Sequence, residues 1–238
     1  MQLVEHISEL RKRVSISLIA VSIGTILSFV FYPWIIDFLM TPFDPLMSSE
    51  SDLLFVYSIY EGFLTKLKTA VISGILFALP VCLYQGFRFI FPALSKKQKW
   101  GLLLSMIVSL GLAALGFFLS YEKIIPFSIH FLTQSEFVPQ SVGQVLNFQK
   151  NIHYIIQLLF YFVLLFQLPL LLSVGMAMNL IKRRTLIQQY KVVIIGTFVL
   201  SALVTPPDIV SQCGLAIPLL FLYLITIGIA KIFGWGND

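Results

Sequence analysis

Long runs without a single charge alternate with short polar segments along the whole chain. Six charge-free stretches stand out: Val14–Ile36, Thr69–Phe87, Gly101–Tyr121, Tyr154–Ile181, Val192–Val204 and Ile209–Ala230. A helix needs about 20 apolar residues to cross roughly 30 Å of hydrocarbon, and the first four runs meet that length. The fifth reaches only about 20 Å before Thr205-Pro206-Pro207, at about 1.5 Å of rise per residue. The sixth is also short if its helix begins only near Cys213. The proline pair and Asp208 between these two runs favour two short helices joined by a tight turn over one re-entrant segment. The pattern therefore predicts an all-α integral membrane protein with six transmembrane helices in one domain over residues 1–238. The spans fall at about 14–36, 69–91, 101–121, 154–181, 192–204 and 209–230. Pro80, Pro169 and Pro218 lie inside spans and Pro126 lies just beyond the third. Proline removes a helix hydrogen bond and usually kinks the helix, so several kinks together predict a concave bundle.

Composition agrees with the pattern. The chain has 238 residues, 58% hydrophobic and 11% charged, with a net charge of +5. Soluble domains carry roughly 25% charged residues, so the bilayer must be the solvent for most of this chain. A positive net charge suggests nucleic acid only until the charges are located. Of the 16 Lys and Arg, those at Arg11–Arg13, Arg88, Lys96, Lys97, Lys99, Lys182–Arg184, Lys191 and Lys231 fall on one side of the predicted topology. Lys66, Lys68, Lys123 and Lys150 lie opposite, with most of the acids. Basic residues favour the cytoplasmic side, so both termini are expected there, and no nucleic-acid partner is implied.

The remaining chemistry is sparse. Cys82 and Cys213 sit in apolar runs as small hydrophobes, and His6, His130 and His153 have no ligand spacing, so neither metal nor cofactor is expected. No cleavable signal peptide is read, because the first thirteen residues are charged and polar and the run after them is too long. A small-solute secondary transporter or channel, the alternative for such a chain, would need intramembrane charges or matched broken helices in two halves. An intramembrane enzyme would need a convergent nucleophile and base or a metal set. None of these is visible in the charge-free runs.

Leu3, Ile7, Leu10 and Val14 recur at helical spacing, which predicts an amphipathic helix lying on the membrane interface and running into the first span. Glu9 precedes Arg13 by four residues and Lys12 by three, a spacing that permits a local ion pair. The segment Glu5-His6-Ile7-Ser8-Glu9-Leu10-Arg11-Lys12-Arg13 also resembles the N-terminal motif of the TatC family. That resemblance continues through Ser58-Ile59-Tyr60-Glu61-Gly62-Phe63 with Lys68, although Ile59 stands where proline is usual. It extends to Leu79-Pro80 through Gln85, then Arg88 through Leu94, Gly116 to Pro126, and Phe166-Gln167-Leu168-Pro169. It ends in Leu203 through Gln212 followed by Ala216-Ile217-Pro218. The motifs come in family order over most of the chain.

What the resemblance implies is a receptor and core assembly subunit of the twin-arginine, Sec-independent translocase, which exports folded proteins using the proton-motive force. It implies residence in a bacterial cytoplasmic (inner) membrane, or in a thylakoid or mitochondrial inner membrane if organellar. Its partners would be twin-arginine signal peptides, TatA-like and TatB-like single-span subunits, the lipid bilayer and further copies of itself. Carried over by motif, Glu9, Leu10, Arg11, Phe89, Pro92 and Gln98 would bind the signal peptide. Gln167, Leu203, Thr205, Pro206, Asp208 and Gln212 would dock partner subunits. Carboxylates suit paired guanidiniums, because the fork of arginine is matched bidentately. Three positions depart from the family, with Gln98, Gln167 and Leu224 standing where acids are usual. Phe89 reads equally as an interfacial belt residue, and Asp208 as the cap of the sixth helix.

Overall fold

The computed structural model describes residues 2–46, 54–91, 96–134, 146–205 and 209–236, and for 2–6, 44–46 and 96–98 the backbone alone. Nearly all of it is helix. The elements in order are α1 (Gln2–Val30), α2 (Tyr32–Met40), a 3-10 turn (Thr41–Leu46), β1 (Leu54–Phe55), α3 (Glu61–Ile90) and α4 (Lys96–Leu119). A single π-helical turn (Ser120–Ile124) then leads into α5 (Ile125–Leu132). After β2 (Leu146–Asn147) come α6 (Phe148–Leu165), α7 (Leu168–Ala177), α8 (Arg183–Gln188), α9 (Tyr190–Val204) and α10 (Ile209–Phe233).

Among the described residues, five helical runs are long and apolar enough to cross a membrane: Ile7–Val30, Glu61–Ile90, Lys99–Leu132, Phe148–Ala177 and Ile209–Phe233. The shorter α9 is apolar over 15 residues, or roughly 22 Å of helix. The sequence expectation of a short fifth helix is therefore met. The sixth is not short, because α10 starts at Ile209 rather than near Cys213 and runs for 25 residues through Pro218. The N-terminal segment likewise differs from a separate surface helix. It forms one 29-residue helix with the first span, without a break between them.

The prolines divide into two groups. Pro80 and Pro218 sit inside continuous helices. Pro33, Pro126 and Pro169 instead open α2, α5 and α7 in the first turn, where the missing N–H has no partner to lose. The fourth crossing is thus two half-helices, α6 and α7, joined at Phe166-Gln167.

That crossing is the centre of the bundle. In its most apolar stretch 61% is buried, against 11% in the first span. One core cluster gathers around Ile152, Ile155, Leu159, Phe162 and Phe166 of α6, with Leu39, Phe43, Ile125 and Leu215 packed on them. A second joins Phe87, Leu102, Met176, Ala177, Ala230 and Trp235 at the other end. Helix α1 lies at the edge, packed along α3, and Leu18, Ile19, Ile23, Ile26 and Val30 on it are exposed. A lipid-facing helix has no reason to hide such residues, since hydrocarbon is as apolar as they are. The two helices cross at Gly24 and Gly74. A Cβ on Gly24 would stand 2.7 Å from the Gly74 carbonyl oxygen, so only glycine permits this approach.

Two ends can be distinguished. The near end carries the start of α1, the end of α3, the start of α4, α8 and residues 234–236. There Gly236 N–H donates to Met176 O at 3.1 Å and Arg183 N–H to Gly236 O at 3.1 Å, which folds Trp235 into the bundle. Gly236 has φ +61, the left-handed region where glycine is favoured. The far end carries α2, α5, the start of α6, the end of α9 and the start of α10. An apolar cavity of about 790 Å³ opens between α2, α3, α4 and α6, lined by Trp34, Phe38, Phe77, Pro80, Phe117 and Leu159 among others.

Candidate functional site

At the near end, Glu9 and Arg13 fall on one face of α1 because residues four apart are neighbours on a helix. Their side chains meet as an ion pair, Arg13 Nη2 donating to Glu9 Oε1 at 3.1 Å. The glycine crossing then brings α3 close enough for a third member. Arg13 Nη1 donates to Gln85 Oε1 at 3.2 Å, although the two residues are 72 positions apart. Gln85 is buried at 8% exposure. The Glu9 side chain is 32% exposed and that of Arg13 15%, so this is a half-buried pair at the mouth of the bundle. Arg13 Nε is buried without a partner among the described residues. One turn of α3 beyond Gln85, the exposed Arg88 guanidinium lies 5.8 Å from the centre of the Tyr84 ring.

The other residues expected to meet a signal peptide are placed less completely. Leu10 and Arg11 are exposed on α1, and Phe89 is half-buried in the last turn of α3. Gln98 lies in the first turn of α4, with its side chain outside the described set, and Pro92 lies outside the described residues. The structure therefore brings Glu9, Arg13 and Gln85 together. The sequence reading had paired only the first two. Gln85 belonged to a recognised motif, but nothing local marks a glutamine as the partner of an arginine on another helix.

The expected docking residues that are described, Gln167 apart, lie at the end of α9 and in the first turn of α10. Leu203 is 78% exposed on α9, the least covered of the group. Thr205 is buried, its hydroxyl donating to Ser201 O at 2.9 Å. Gln212 Nε2 donates to Phe198 O at 3.2 Å, and the Ser201 hydroxyl donates to Gln212 O at 2.7 Å. Ser201 and Gln212 thus tie α9 to α10, Thr205 is satisfied within α9, and Leu203 faces outward. Pro206 and Asp208 lie outside the described residues.

Gln167 is elsewhere, buried at 4% exposure where the fourth crossing breaks. With Gln167 N–H turned to Leu164 O at 3.0 Å, the side-chain amide takes over the i−4 carbonyl, Nε2 lying 3.4 Å from Val163 O. The same Nε2 reaches Ser109 O of α4 at 3.2 Å. A carboxylate has no N–H to offer there, so glutamine suits this break. Leu224, the third position where the family has an acid, is 63% exposed on α10.

The far end holds a second carboxylate that the sequence reading did not assign. Glu61 at the start of α3 accepts the Tyr57 N–H at 2.8 Å and the Asn147 side-chain amide at 3.3 Å on both oxygens. Asn147 also caps α6, its Oδ1 accepting the Lys150 N–H at 2.8 Å. The parallel pairing of β1 with β2 sets Phe55 opposite Asn147, so the clamp joins segments from both far-side loops. An Asn directly before an apolar helical run is the signal that would have marked the cap.

A bundle of apolar helices wrapped around a broken central crossing, with its few charges at the two mouths, defines a multi-pass membrane protein. Its relatives define the class further as a protein translocase component. The family model described as Sec-independent protein translocase protein (TatC) matches residues 5–218. The chain is 32% identical to the Sec-independent protein translocase protein TatC of Carboxydothermus hydrogenoformans, covering 97% of this chain and 93% of that protein. It is 32% identical to the TatC protein of Aquifex aeolicus, covering 98% and 95%. A solved structure described as twin arginine translocase receptor TatC superposes with a TM-score of 0.81 at 31% identity, over 98% of this chain and all of that one. The chain belongs to the TatC family.

Proposed function

We propose that this chain is the signal-peptide receptor and core assembly subunit of a twin-arginine translocase in a bacterial cytoplasmic membrane. The near end faces the cytoplasm, with both termini there, and α9 completes six crossings despite its length. Support for this orientation comes from the basic residues gathered at that end: Arg11, Lys12, Arg13, Arg88, Lys99, Lys182, Arg183, Arg184, Lys191 and Lys231. A crossing as short as α9 thins the bilayer around it, which fits a protein that moves other proteins. Folded precursors present twin-arginine signal peptides to the near end, and export draws on the proton-motive force. The chain itself performs no covalent chemistry on this reading.

The observation that carries the proposal is that Glu9 already holds a guanidinium, 3.1 Å away, at a half-buried position. An arginine of a signal peptide asks for that geometry. Leu10, Arg11, Phe89, Pro92 and Gln98 complete the contact surface on this reading. TatA-like and TatB-like subunits dock at Leu203, Thr205, Pro206, Asp208 and Gln212, with Leu203 as the outward anchor. Gln167 acts there indirectly, by holding α4 to the broken crossing. Copies of the chain assemble within the complex.

Replacement of Glu9 by alanine tests the receptor half. Pull-down or cross-linking with a twin-arginine signal peptide is expected to fail for that variant, and retained affinity overturns the proposal. Leu203→Arg tests the assembly half: partner co-purification is expected to drop while peptide binding survives.

A further inference from the structure

The receptor site is not empty of arginine, because Arg13 occupies it. Its guanidinium sits between Glu9 Oε1 at 3.1 Å and Gln85 Oε1 at 3.2 Å. Among the described residues, Arg13 supplies the one hydrogen bond that the Glu9 carboxylate receives. An incoming arginine binds best through a fork of two parallel N–H donors onto both carboxylate oxygens. One of those oxygens is already taken by Arg13. The positive charge of Arg13, one helical turn from Glu9, also opposes the arrival of two further guanidiniums.

We propose that Arg13 is an internal competitor for the signal-peptide arginines and that binding is an exchange. The peptide takes Glu9, and Arg13 retains Gln85, whose amide oxygen receives the displaced guanidinium. The inference rests on the receptor reading above and adds its regulation. The α1–α3 crossing supports this division of roles. Gly24 and Gly74 hold the helices in backbone contact, so Gln85 keeps its place beside Arg13 when Glu9 lets go. Gln85 is a neutral acceptor: it holds Arg13 without cancelling its charge, and therefore does not compete with Glu9 as a second carboxylate would. Such an exchange also sets a threshold. A ligand must outbid a guanidinium to enter, which a lysine pair, lacking the planar fork, does less well.

The test measures binding of fluorescein-labelled signal peptides to the purified full-length chain in detergent, one peptide with an Arg-Arg pair and one with Lys-Lys. Arg13→Gln keeps hydrogen-bonding capacity and removes the charge. It is expected to tighten the Arg-Arg peptide by about three- to tenfold, the range of a half-exposed ion pair. It is expected to tighten the Lys-Lys peptide at least as much, which narrows the selectivity. Gln85→Leu leaves Arg13 with Glu9 as its sole partner and is expected to weaken the Arg-Arg peptide, with little change once Arg13→Gln is also present. Weaker binding of both peptides to a folded Arg13→Gln protein overturns the exchange and makes Arg13 a positioning residue for Glu9. Should Arg13→Gln fail to fold, a Gln85→Leu protein that binds as tightly as the unaltered chain also overturns it. Unchanged binding in Glu9→Gln instead overturns the receptor reading itself, so the two failures are told apart.

Discussion

Two carboxylates mark the two mouths of the bundle, and they are held in opposite ways. Glu9 at the near end is paired with the Arg13 guanidinium of its own helix, half-buried, on a helix that touches the rest of the protein mainly through α3. Glu61 at the far end is held by neutral N–H donors, the Tyr57 backbone and the Asn147 amide, both rooted in the two loops it joins. A charged partner on a long side chain can be exchanged for another charged partner, at a cost set by how far the pair is shielded from water. A carboxylate at a helix start that accepts fixed N–H groups is satisfied where it is, and the helix dipole adds to that. On the proposed receptor reading, the comparison separates a carboxylate kept for a ligand from one that holds the structure.

Substitutions can break that contrast. Glu9→Ala is expected to cost the twin-arginine peptide about 10- to 100-fold in affinity, since hydrogen bonds to charged groups contribute about 1.5–3 kcal/mol. Its thermal midpoint in detergent is expected to stay within the ordinary range for surface changes. Glu61→Ala should do the reverse. It leaves the Asn147 amide without its acceptor, so stability is expected to fall by about 1–3 kcal/mol with peptide affinity per folded molecule unchanged. If Glu61→Ala abolishes binding in folded protein, the division of labour is wrong. Asn147→Ala removes the cap of α6 and is expected to cost about 1 kcal/mol, read as a lower unfolding midpoint. The smallest effect is expected from Gln98→Glu, a few-fold tightening of the peptide by an added charge at the near end. A weaker peptide would mean that the start of α4 does not meet the arginines. Rising salt sharpens the same contrast, weakening peptide binding at Glu9 while sparing the Glu61 clamp, which involves no opposite charge.

Much of this architecture was legible from the spacing of charges. The runs that became α1, α3, α4, α6–α7 and α10 stand out because no charge interrupts them. The Glu9–Arg13 pair was readable because both residues lie on one helix, where spacing alone sets the neighbours. Gln85 was not readable as the third member, nor was the Glu61–Asn147 clamp, because each joins segments far apart in the chain. The break at Phe166-Gln167 was half legible. Pro169 announced a disturbance, but the amide of Gln167 satisfying Val163 O and Ser109 O depends on α4 lying alongside. Gln167 was expected at a buried position able to bond another helix, and the neighbour it reaches is α4 of the same chain. The length of α10 was misjudged because the proline pair before it obscured where the helix begins.

By itself, then, the sequence determined which segments leave water and that a carboxylate and an arginine share one face of α1. These follow from local composition and helical period. Only the tertiary structure decided that Gln85 completes the Arg13 site, that the Gln167 amide reaches α4, and that Leu203 alone of its described neighbours Thr205 and Gln212 projects fully outward. Each depends on where helices cross, and the crossing of α1 with α3 is set by two glycines, Gly24 and Gly74, whose contact no local pattern announces.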